Sequence, residues 1–456
     1  MRNGMRRFKL VTLGCKLNQC ESEELGLSLS AKAAYRPCRG GEPADLVVVN
    51  TCTVTERAAV QSRQAIRRAI REHPGAFVVV TGCLAATDPE TLRAIPGVGR
   101  VVGRKDKAGL ADSLCAARTE PPQDEGAAAA GRRAGFPSSP AAGDPLAGRT
   151  RAFVKIQDGC DAFCSYCIVP YARGPSRSVS PRRVLERIGL LAARGFREVV
   201  LTGVHIGRYG LDLTPPRTLA ELLEDILGGG FPLRVRLSSI EPLELTEPLL
   251  EVAVRSGGRV CPHFHIPLQS GDAAILARMR RPYGPADFRG AVAAVRARFP
   301  DAAIGADVLV GFPGESEEAF ENTFRLIADL PLSYLHVFPF SPRPGTAAFG
   351  FDDRIDPAKI RARCGRLRRL GESKRLLFHR GFVGRAIEVL TETRRDPQSG
   401  LLRGVSANYL RVRFAGEDAW MNRLARVRIT AADSRFLSAA LDSPAVSGTR
   451  GRSSTG

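Results

Sequence analysis

Apolar runs with strand character alternate with helical segments over the first part of the chain, up to about residue 118. Three such runs lie at residues 8–13, 46–49 and 77–80, and residues 56–71 have helical spacing between the last two. Alternation of this kind is typical of a parallel sheet. The pattern therefore predicts an α/β domain at the beginning of the chain.

A second stretch, from residue 151 to about residue 350, alternates in the same way but is longer. Its strand-like runs are residues 153–157, 198–202, 235–238, 263–267, 304–310 and 335–338. Six strand and helix units predict a partial (βα)6 barrel, in which chemistry takes place at the carboxyl ends of the strands.

The pattern changes twice more after the second stretch. Residues 357–380 contain nine Lys or Arg against one Glu, with apolar positions at helical spacing, and Asp356 and Pro357 are suited to begin a helix. Residues 384–432 alternate at a period of two, which predicts a small antiparallel β-barrel. The basic helix is interpreted as a surface for phosphates or as a solvated face.

Composition sets the domain boundaries. Between residues 119 and 150, 18 of 32 residues are Ala, Gly or Pro. This segment has too few large apolar side chains to form a core. We therefore predict an α/β protein with an N-terminal domain at 1–118, a flexible linker at 119–150, a barrel core at 151–380, a small β domain at 381–434 and a disordered tail at 435–456.

Charge and cysteine content narrow the class of protein. The net charge of +20 favours a polyanionic partner such as RNA. No run approaches the roughly 18 apolar residues of a membrane span, and no signal peptide is recognisable, so we expect a cytoplasmic protein without a membrane partner. The 11 cysteines are odd in number and scattered, which indicates free thiols in a reducing compartment.

Three cysteines have the spacing CxxxCxxC directly after the first strand of the second stretch: Cys160, Cys164 and Cys167. Three thiolates on one loop can hold three corners of a 4Fe-4S cube and leave the fourth iron open to a substrate. The alternatives are structural zinc, which normally requires a fourth nearby ligand, and a chance match to a short motif.

A second set of cysteines follows the three apolar runs of the first stretch: Cys15, Cys52 and Cys83. Because ligands of open parallel sheets lie beyond the carboxyl ends of the strands, topology would bring these thiols together to hold a second cluster. The alternative is that each is a buried core thiol. Cys20, Cys38, Cys115, Cys261 and Cys364 share no such placement and are interpreted as structural.

Several motifs in order resemble the radical S-adenosylmethionine (SAM) methylthiotransferases. Those that carry the resemblance are residues 12–18 (TLGCKLN), 50–55 (NTCTVT), 81–83 (TGC), 157–160 (QDGC) and 168–174 (IVPYARG). The predicted β domain is similar to the family's TRAM barrel, which binds RNA. The resemblance covers nearly the whole chain.

The resemblance implies two 4Fe-4S clusters and SAM as cofactors. Cys160, Cys164 and Cys167 would hold the catalytic cluster, and Cys15, Cys52 and Cys83 the auxiliary cluster that carries the sulfur. The candidate SAM contacts are Tyr166, Ser238, Ser239, Glu241 and Gln269. For Arg173 and Arg177 we expect contact with RNA phosphate or the SAM carboxylate, and for His263 and His265 hydrogen bonds inside the barrel.

The family has branches that act on threonylcarbamoyladenosine in tRNA, on isopentenyladenosine in tRNA and on an aspartate of a ribosomal protein. Residues 53–55 (TVT), 201–207 (LTGVHIG) and 335–341 (LHVFPFS) favour the first branch. The expected reaction adds a methylthio group to C2 of the base at position 37 of the anticodon stem-loop, with external electron and sulfur donors. The other two branches, and an RNA-binding iron–sulfur protein without catalysis, are the alternatives.

Overall fold

The computed structural model describes residues 6–31, 35–39, 41–103, 106–107, 109–116 and 148–442. The predicted linker therefore lies outside the described residues except for its last three positions. Within the described ranges, no helix combines the length and the apolar content that a membrane crossing requires.

The N-terminal domain is a five-stranded parallel sheet with strand order β2-β1-β3-β4-β5. Its elements are β1 (Arg6–Thr12), α1 (Lys16–Ala31), β2 (Tyr35–Pro37), β3 (Leu46–Thr51), α2 (Glu56–Glu72), β4 (Phe77–Gly82), α3 (Cys83–Thr87), α4 (Pro89–Arg93), β5 (Arg100–Val101) and α5 (Leu110–Ala116). β3 is buried at every position, as a strand covered by helices on both faces requires. The strand order reverses direction between β1 and β3, which creates a crevice at their carboxyl ends.

The second domain is the predicted partial barrel. Its elements are β6 (Ala152–Lys155), β7 (Gln157–Asp158), α6 (Val169–Arg173), β8 (Arg177–Ser178), α7 (Pro181–Ala193), β9 (Glu198–Thr202), α8 (Leu219–Gly228), β10 (Arg234–Leu237), α9 (Glu247–Arg255), β11 (His263–His265), α10 (Ala273–Arg278), α11 (Pro285–Arg298), β12 (Ala303–Val310), α12 (Glu317–Asp329) and β13 (Tyr334–Pro339). Strands β6, β9 and β10 form one parallel sheet and β11, β12 and β13 another, and the bridge between Val235 and Val260 joins the two. All six predicted strands are present.

The basic helix is α13 (Pro357–Arg380), whose bounds agree with the prediction. The Asp356 carboxylate accepts hydrogen bonds from the backbone N–H groups of Ala358 and Lys359, so the predicted cap is confirmed. The chain then closes a five-stranded barrel of β14 (Ala386–Thr391), β15 (Leu402–Ser406), β16 (Arg411–Phe414), β17 (Leu424–Ala432) and β18 (Leu437–Leu441).

Strand β18 corrects the prediction of a disordered tail from residue 435. β18 pairs with β16 and with β17, and Leu437 is fully buried. Its Ser and Ala content gives little strand signal, but the strand closes the barrel and removes two open sheet edges. Residues 443–456 of the predicted tail lie outside the described part of the chain.

The small barrel docks on the strands of the larger one through a buried ion cluster. The Glu198 carboxylate lies 2.7 Å from Arg234 Nε and 2.8 Å from Arg236 Nε. Arg234 Nη2 donates to the backbone carbonyl of Val405 in the small barrel, and Arg236 Nη1 and Nη2 donate to those of Ala407 and Ser406. Burial alone would raise the pKa of Glu198, but the two arginines lower it to about 2.

Candidate functional site

The crevice of the N-terminal sheet brings three cysteines to one edge. Cys15 follows β1, Cys52 follows β3, and Cys83 begins α3 directly after β4. A Cβ added to Gly14 would lie 2.7 Å from Cys52 Cβ and 2.9 Å from Cys52 Sγ, so the Cys15 turn is in contact with Cys52. The strand order places the three predicted cysteines together, although they are far apart in the sequence.

Two glycines make this close approach possible. Gly14 has φ +93° and Gly82 has φ +97°, a left-handed region that side chains rarely adopt. A Cβ on Gly82 would lie 2.4 Å from the Thr51 carbonyl oxygen. Each glycine therefore allows the cysteine after it to turn towards the end of β3.

Asn18 holds the same edge together from α1 and is a residue that the sequence interpretation missed. Its side-chain amide donates to the carbonyl oxygens of Leu13, at 2.7 Å, and Thr51, at 2.9 Å. Asn18 is fully buried. The amide therefore ties the loop after β1 to the end of β3, where Cys15 and Cys52 lie.

The surroundings of these thiols suit an iron cluster. Cys52 and Cys83 are buried and Cys15 is exposed. Burial raises the pKa of Cys52, and it raises the pKa of Cys83 to about 11, with charge on Cys52 and Cys15 acting in the same direction. Iron binds thiolates and provides the positive charge that such buried sulfurs lack, so the donor set fits a cluster with one iron left for another ligand.

The CxxxCxxC loop is fixed at its base by Gln157. The Gln157 side chain donates to the Gly159 carbonyl at 2.7 Å and accepts from the Val204 backbone N–H at 2.9 Å. Gly159 has φ +74°, and a Cβ there would lie 1.9 Å from the Pro175 carbonyl oxygen. The first cysteine of the loop therefore begins at a rigid point, beside the end of β9.

The rest of the loop is fixed by backbone hydrogen bonds. The Cys160 N–H donates to the Gly174 carbonyl at 2.9 Å, the Ser165 N–H to the Met279 carbonyl at 3.0 Å, and the Cys167 N–H to the Cys164 carbonyl at 2.9 Å. These hydrogen bonds therefore define the conformation of the loop.

Polar groups approach two of the sulfurs in this loop. Arg281 Nη1 donates to Cys164 Sγ at 3.3 Å, and the Ala162 backbone N–H donates to Cys160 Sγ at 3.5 Å. His205 Nδ1 lies 3.6 Å from Cys160 Sγ, and its Nε2 lies 2.7 Å from Glu244 Oε1. Hydrogen bonds to sulfur stabilise thiolate ligands and tune clusters.

Burial dominates the pKa values of Cys164 and Cys167. It raises the pKa of Cys164 and raises that of Cys167 to about 12, and the other loop thiols act in the same direction. Three sulfurs that share one environment, with hydrogen-bond donors around them, fit the three-thiolate corner of a 4Fe-4S cluster.

The five candidate SAM contacts lie in different surroundings. Glu241 forms an ion pair with Arg281 and is thereby linked to Cys164. Ser238 follows β10, and its Oγ is buried without a hydrogen-bond partner among the described residues, whereas Ser239 is exposed. Gln269 has φ +64° and bridges to Val308 of β12.

Tyr166 is half-buried and packs against the apolar cluster that contains Ile275, Met279 and Phe312. Burial raises the pKa of the Tyr166 phenol well above its ordinary value. An aromatic side chain with a purely structural role would pack in the same way. The assignment of Tyr166 to SAM therefore stays a prediction.

Arg281 and Tyr283 are further residues that sequence interpretation missed. Arg281 Nε donates to the Tyr283 hydroxyl at 3.0 Å, and that hydroxyl donates to the Pro267 carbonyl at 2.7 Å. Both residues lie in the segment between α10 and α11. Sequence patterns predict site residues at the carboxyl ends of the barrel strands, and this segment lies away from them. No periodic signal marks an arginine that turns inward from a connecting segment.

Arg173 connects the two cysteine sites and corrects the expectation that it meets RNA or SAM. Its Nη1 lies 2.9 Å from Glu21 Oε1 and 2.8 Å from Asp158 Oδ1, and its Nη2 donates to Asn18 Oδ1. The side chain is 8% exposed. A buried arginine from the cluster loop's own helix is therefore ion-paired with α1 of the N-terminal domain.

The elements around Arg173 are in direct contact. Helix α3, which begins at Cys83, packs against α6, which follows Cys167 and ends at Arg173. Burial alone would raise the pKa of Glu21, but Lys107 and Arg173 lower it to about 2. The helices that adjoin the two cysteine sites therefore pack against each other, with the ion pair of Arg173 and Glu21 beside them. Arg177 is exposed.

The two strand histidines make the expected interior hydrogen bonds. His263 Nε2 lies 2.7 Å from the Tyr334 hydroxyl, and His265 Nδ1 lies 3.1 Å from it. His265 Nε2 also lies 2.9 Å from Asp307 Oδ1. These contacts form a polar layer across β11, β12 and β13.

Two family models match the first two domains separately. Residues 7–103 match the model described as Uncharacterized protein family UPF0004, and residues 154–327 match that of the Radical SAM superfamily. Solved structures similar to this chain include the radical SAM methyltransferase TsrM from Kitasatospora setae, with a TM-score of 0.55, 16% identity and coverage of 76% of this chain and 74% of that one. A likeness at this identity shows the fold alone.

Curated relatives identify the family to which this chain belongs. The Bacillus subtilis protein named threonylcarbamoyladenosine tRNA methylthiotransferase MtaB is 37% identical over 92% of both chains. Its namesake from Chlamydia pneumoniae is 37% identical over 82% of this chain and 87% of its own. A Parafrankia protein named tRNA-2-methylthio-N(6)-dimethylallyladenosine synthase is 37% identical over 88% of this chain and 81% of its own. With these relatives and a Radical SAM domain, the chain belongs to the radical SAM methylthiotransferase family.

Proposed function

We propose that this protein is a tRNA methylthiotransferase that adds a methylthio group to C2 of N6-threonylcarbamoyladenosine at position 37, next to the anticodon. The relatives from Bacillus subtilis and Chlamydia pneumoniae, which match over most of the chain, carry the corresponding name. The observation that carries the proposal is the contact of α3, which begins at Cys83, with α6, which follows Cys167, because it joins a segment beside one cysteine triad to a segment beside the other. A reaction that needs both a radical and a sulfur source requires two such centres near one substrate.

SAM and a 4Fe-4S cluster are the cofactors of the Radical SAM superfamily, whose model matches residues 154–327. We propose that Cys160, Cys164 and Cys167 hold this cluster, and that Cys15, Cys52 and Cys83 hold a second 4Fe-4S cluster. When bound, SAM and the first cluster supply radical chemistry able to break an unactivated C–H bond. Such chemistry is needed because C2 of an adenine has neither an acidic proton nor a leaving group.

The chain's own residues keep the two sites in place. Arg281 donates to Cys164 Sγ and holds the Glu241 carboxylate beside it. Gln157 fixes the loop to the end of β9, and Arg173 fixes the loop's helix to α1. Among the predicted SAM contacts, Ser238, Glu241 and Gln269 follow barrel strands at the end where a substrate would enter.

The proposed macromolecular partner is the anticodon stem-loop of tRNA. The net charge of +20, the basic helix α13 and the closed small barrel, which we propose acts as a TRAM-like RNA-binding domain, are consistent with a polyanionic substrate. Reduction of the cluster and replacement of the inserted sulfur require an external electron donor and an external sulfur donor.

The test is mass spectrometry of tRNA nucleosides from a strain that lacks this protein. Loss of 2-methylthio-N6-threonylcarbamoyladenosine, with the unmethylthiolated nucleoside in its place, is expected. Reintroduction of the wild-type chain should restore the product, whereas the variant with Cys15, Cys52 and Cys83 all changed to Ala should not. An unchanged nucleoside profile in the deletion strain would reject the proposal.

The second candidate substrate is dimethylallyladenosine (isopentenyladenosine), because the Parafrankia relative is equally identical to this chain. The same nucleoside profile separates the two candidates. Loss of the methylthio group from dimethylallyladenosine, with the threonylcarbamoyl product intact, would favour this second candidate.

A further inference from the structure

A cavity of about 320 Å³ lies where β13 and α13 of the core meet the small barrel. Its walls include Tyr334 and His336 of β13, Arg375 and Phe378 of α13, and Tyr409, Arg411, Arg435 and Phe436 of the small barrel. None of the residues that line it is acidic. The cavity is formed by three parts of the fold and therefore has a fixed shape that a single surface helix would not provide.

The arginines of this cavity form no ion pair with any residue that the structure describes. Within the described part of the chain, the guanidinium groups of Arg375, Arg411 and Arg435 have no ion pair and no hydrogen-bond acceptor. By contrast, Arg363 and Arg366, earlier on the same helix, pair with Glu315 and Glu321 respectively. Among the described residues Arg375 has no such ion pair, and the acidic residue whose charge acts on it is Glu372, three positions earlier in α13.

Arg375 is the most informative of the three because it is half-buried. Burial lowers the pKa of its guanidinium and the neighbouring charge of Arg411 lowers it further, whereas Glu372 and Tyr334 act in the opposite direction. Cations that are brought together and partly desolvated without an anion repel each other, a cost that a bound oxyanion would remove.

Aromatic rings complete the walls of the cavity. Tyr334 and Tyr409 have ring centroids 6.4 Å apart, and Phe378 and Phe436 line other parts of the wall. Tyr409 has φ +66°, so its ring is presented from a left-handed turn between β15 and β16. Tyr409 also packs against His263, with ring centroids 4.4 Å apart, and Arg413 lies 3.6 Å from the ring centroid of Phe436. These rings therefore form apolar walls beside the arginines.

We propose that this cavity binds an oxyanion of the RNA substrate through Arg375, Arg411 and Arg435, at a position outside the two cysteine sites. The inference rests on the proposed function, because it takes the substrate to be RNA. Two groups of that substrate share the required chemistry: a backbone phosphate, and the carboxylate of the threonylcarbamoyl group.

The test measures binding of the full-length protein to two synthetic anticodon stem-loops of one sequence, which carry adenosine or N6-threonylcarbamoyladenosine at position 37. Arg375→Ala is compared with Arg361→Ala, which removes an equal charge from an exposed position nearer the start of α13. Binding needs no turnover, so the result does not depend on cluster activity. Methylthiolation by the wild type is followed in parallel by mass spectrometry, so that failure of the proposed function is detected separately.

We expect Arg375→Ala to raise the Kd for RNA about 10-fold and to reduce the slope of log K against log salt by about 0.7, whereas Arg361→Ala leaves both closer to wild type. An equal loss with both stem-loops identifies a phosphate, and a loss with the modified stem-loop alone identifies the carboxylate. Arg411→Ala should reproduce the pattern.

Wild-type affinity and salt slope in both Arg375→Ala and Arg411→Ala would overturn the inference. A loss no larger than that of Arg361→Ala would also overturn it, because the effect would then be one of total charge. If the wild-type protein methylthiolates its RNA while these variants bind normally, the inference fails and the proposed function stands.

Discussion

The two cysteine sites of this protein are built in opposite ways. Cys160, Cys164 and Cys167 lie in one short loop that is held by its own backbone hydrogen bonds and by Gln157. Cys15, Cys52 and Cys83 come from three strand ends and meet only because the sheet has the order β2-β1-β3-β4-β5. The first site is therefore a property of a local segment, whereas the second is a property of the whole domain.

Because of this difference, each site should tolerate a different set of substitutions. Changes that loosen the N-terminal sheet should disturb the strand-end site and leave the loop site intact. The reverse should hold only for changes inside the loop or around Arg281, because the loop's anchors lie within the barrel. Arg173 is the exception, since it belongs to the loop's helix and is ion-paired with both domains.

The largest effect is expected from removing either set of thiols. With Cys160, Cys164 and Cys167 changed to Ala, reductive cleavage of SAM and methylthiolation should both fall by at least roughly 10³-fold, because the open iron is lost. With Cys15, Cys52 and Cys83 changed to Ala, methylthiolation should fall as far while SAM cleavage continues. Both activities are measured by chromatography of deoxyadenosine and of nucleosides. Methylthiolation by the second variant would contradict the assignment of the sulfur-carrying site.

Arg173→Met should be the most destabilising single change at the contact between the domains. It leaves the buried carboxylate of Glu21 and the half-buried carboxylate of Asp158 without their shared cation, although Lys107 still faces Glu21. The apparent free energy of unfolding should fall by about 3 kcal/mol. Denaturant unfolding measures the change, with the exposed Arg177→Met as control. Equal stability of the two variants would show that the ion pairs of Arg173 do not hold the domains together.

A glycine pair distinguishes steric crowding at the strand-end site from backbone strain alone. Gly14→Ala places a methyl group against Cys52, whereas Gly75→Ala, at φ +84°, meets nothing within 4 Å. Both variants should lose about 1–2 kcal/mol from the left-handed backbone, and Gly14→Ala should lose about 1–2 kcal/mol more through the clash. Calorimetric Tm values and iron content provide the measurement. Similar losses of iron in the two variants would contradict the crowding argument.

The smallest predicted effect concerns the hydrogen bond to Cys164 Sγ. Arg281→Lys keeps the charge opposite Glu241 but loses the planar group that reaches both the sulfur and Tyr283. The rate of SAM cleavage should fall about 10-fold, or about 1.4 kcal/mol in the barrier. Arg280→Lys, on the exposed neighbouring residue, serves as the control. An unchanged rate and an unchanged electron paramagnetic resonance signal in Arg281→Lys would show that this contact is dispensable.

Sequence patterns were sufficient for the elements that carry strong periodicity or a local motif. The three N-terminal strands, the six barrel strands, α13 and the family are confirmed. The short strand β18 was missed because its stability comes from closing the barrel with distant partners. The buried partners of Arg173 were also missed, since pairing between residues that are far apart in the chain leaves no local signal.

The same limit applies within the candidate site. A cysteine motif can be recognised in a sequence because the spacing of its thiols determines which metal centre they can bind. The three Gly–Cys steps at Gly14, Gly82 and Gly159 can be recognised as dipeptides. The left-handed backbone that gives those glycines their role is visible only in the structure. Arg281 acts through inward-facing contacts, and nothing in its sequence neighbourhood distinguishes it from a surface residue. Asn18 lies in the motif of residues 12–18, but the motif does not show which carbonyl groups its amide contacts.

Iron and acid-labile sulfide analysis after anaerobic reconstitution tests the central claim most directly. We predict about eight irons and eight sulfides per chain in the wild-type protein and about four of each in either triple-cysteine variant, because each triad would hold one 4Fe-4S cluster independently. Stoichiometric zinc in the wild-type protein, or an unchanged iron content after replacement of Cys15, Cys52 and Cys83, would contradict the account.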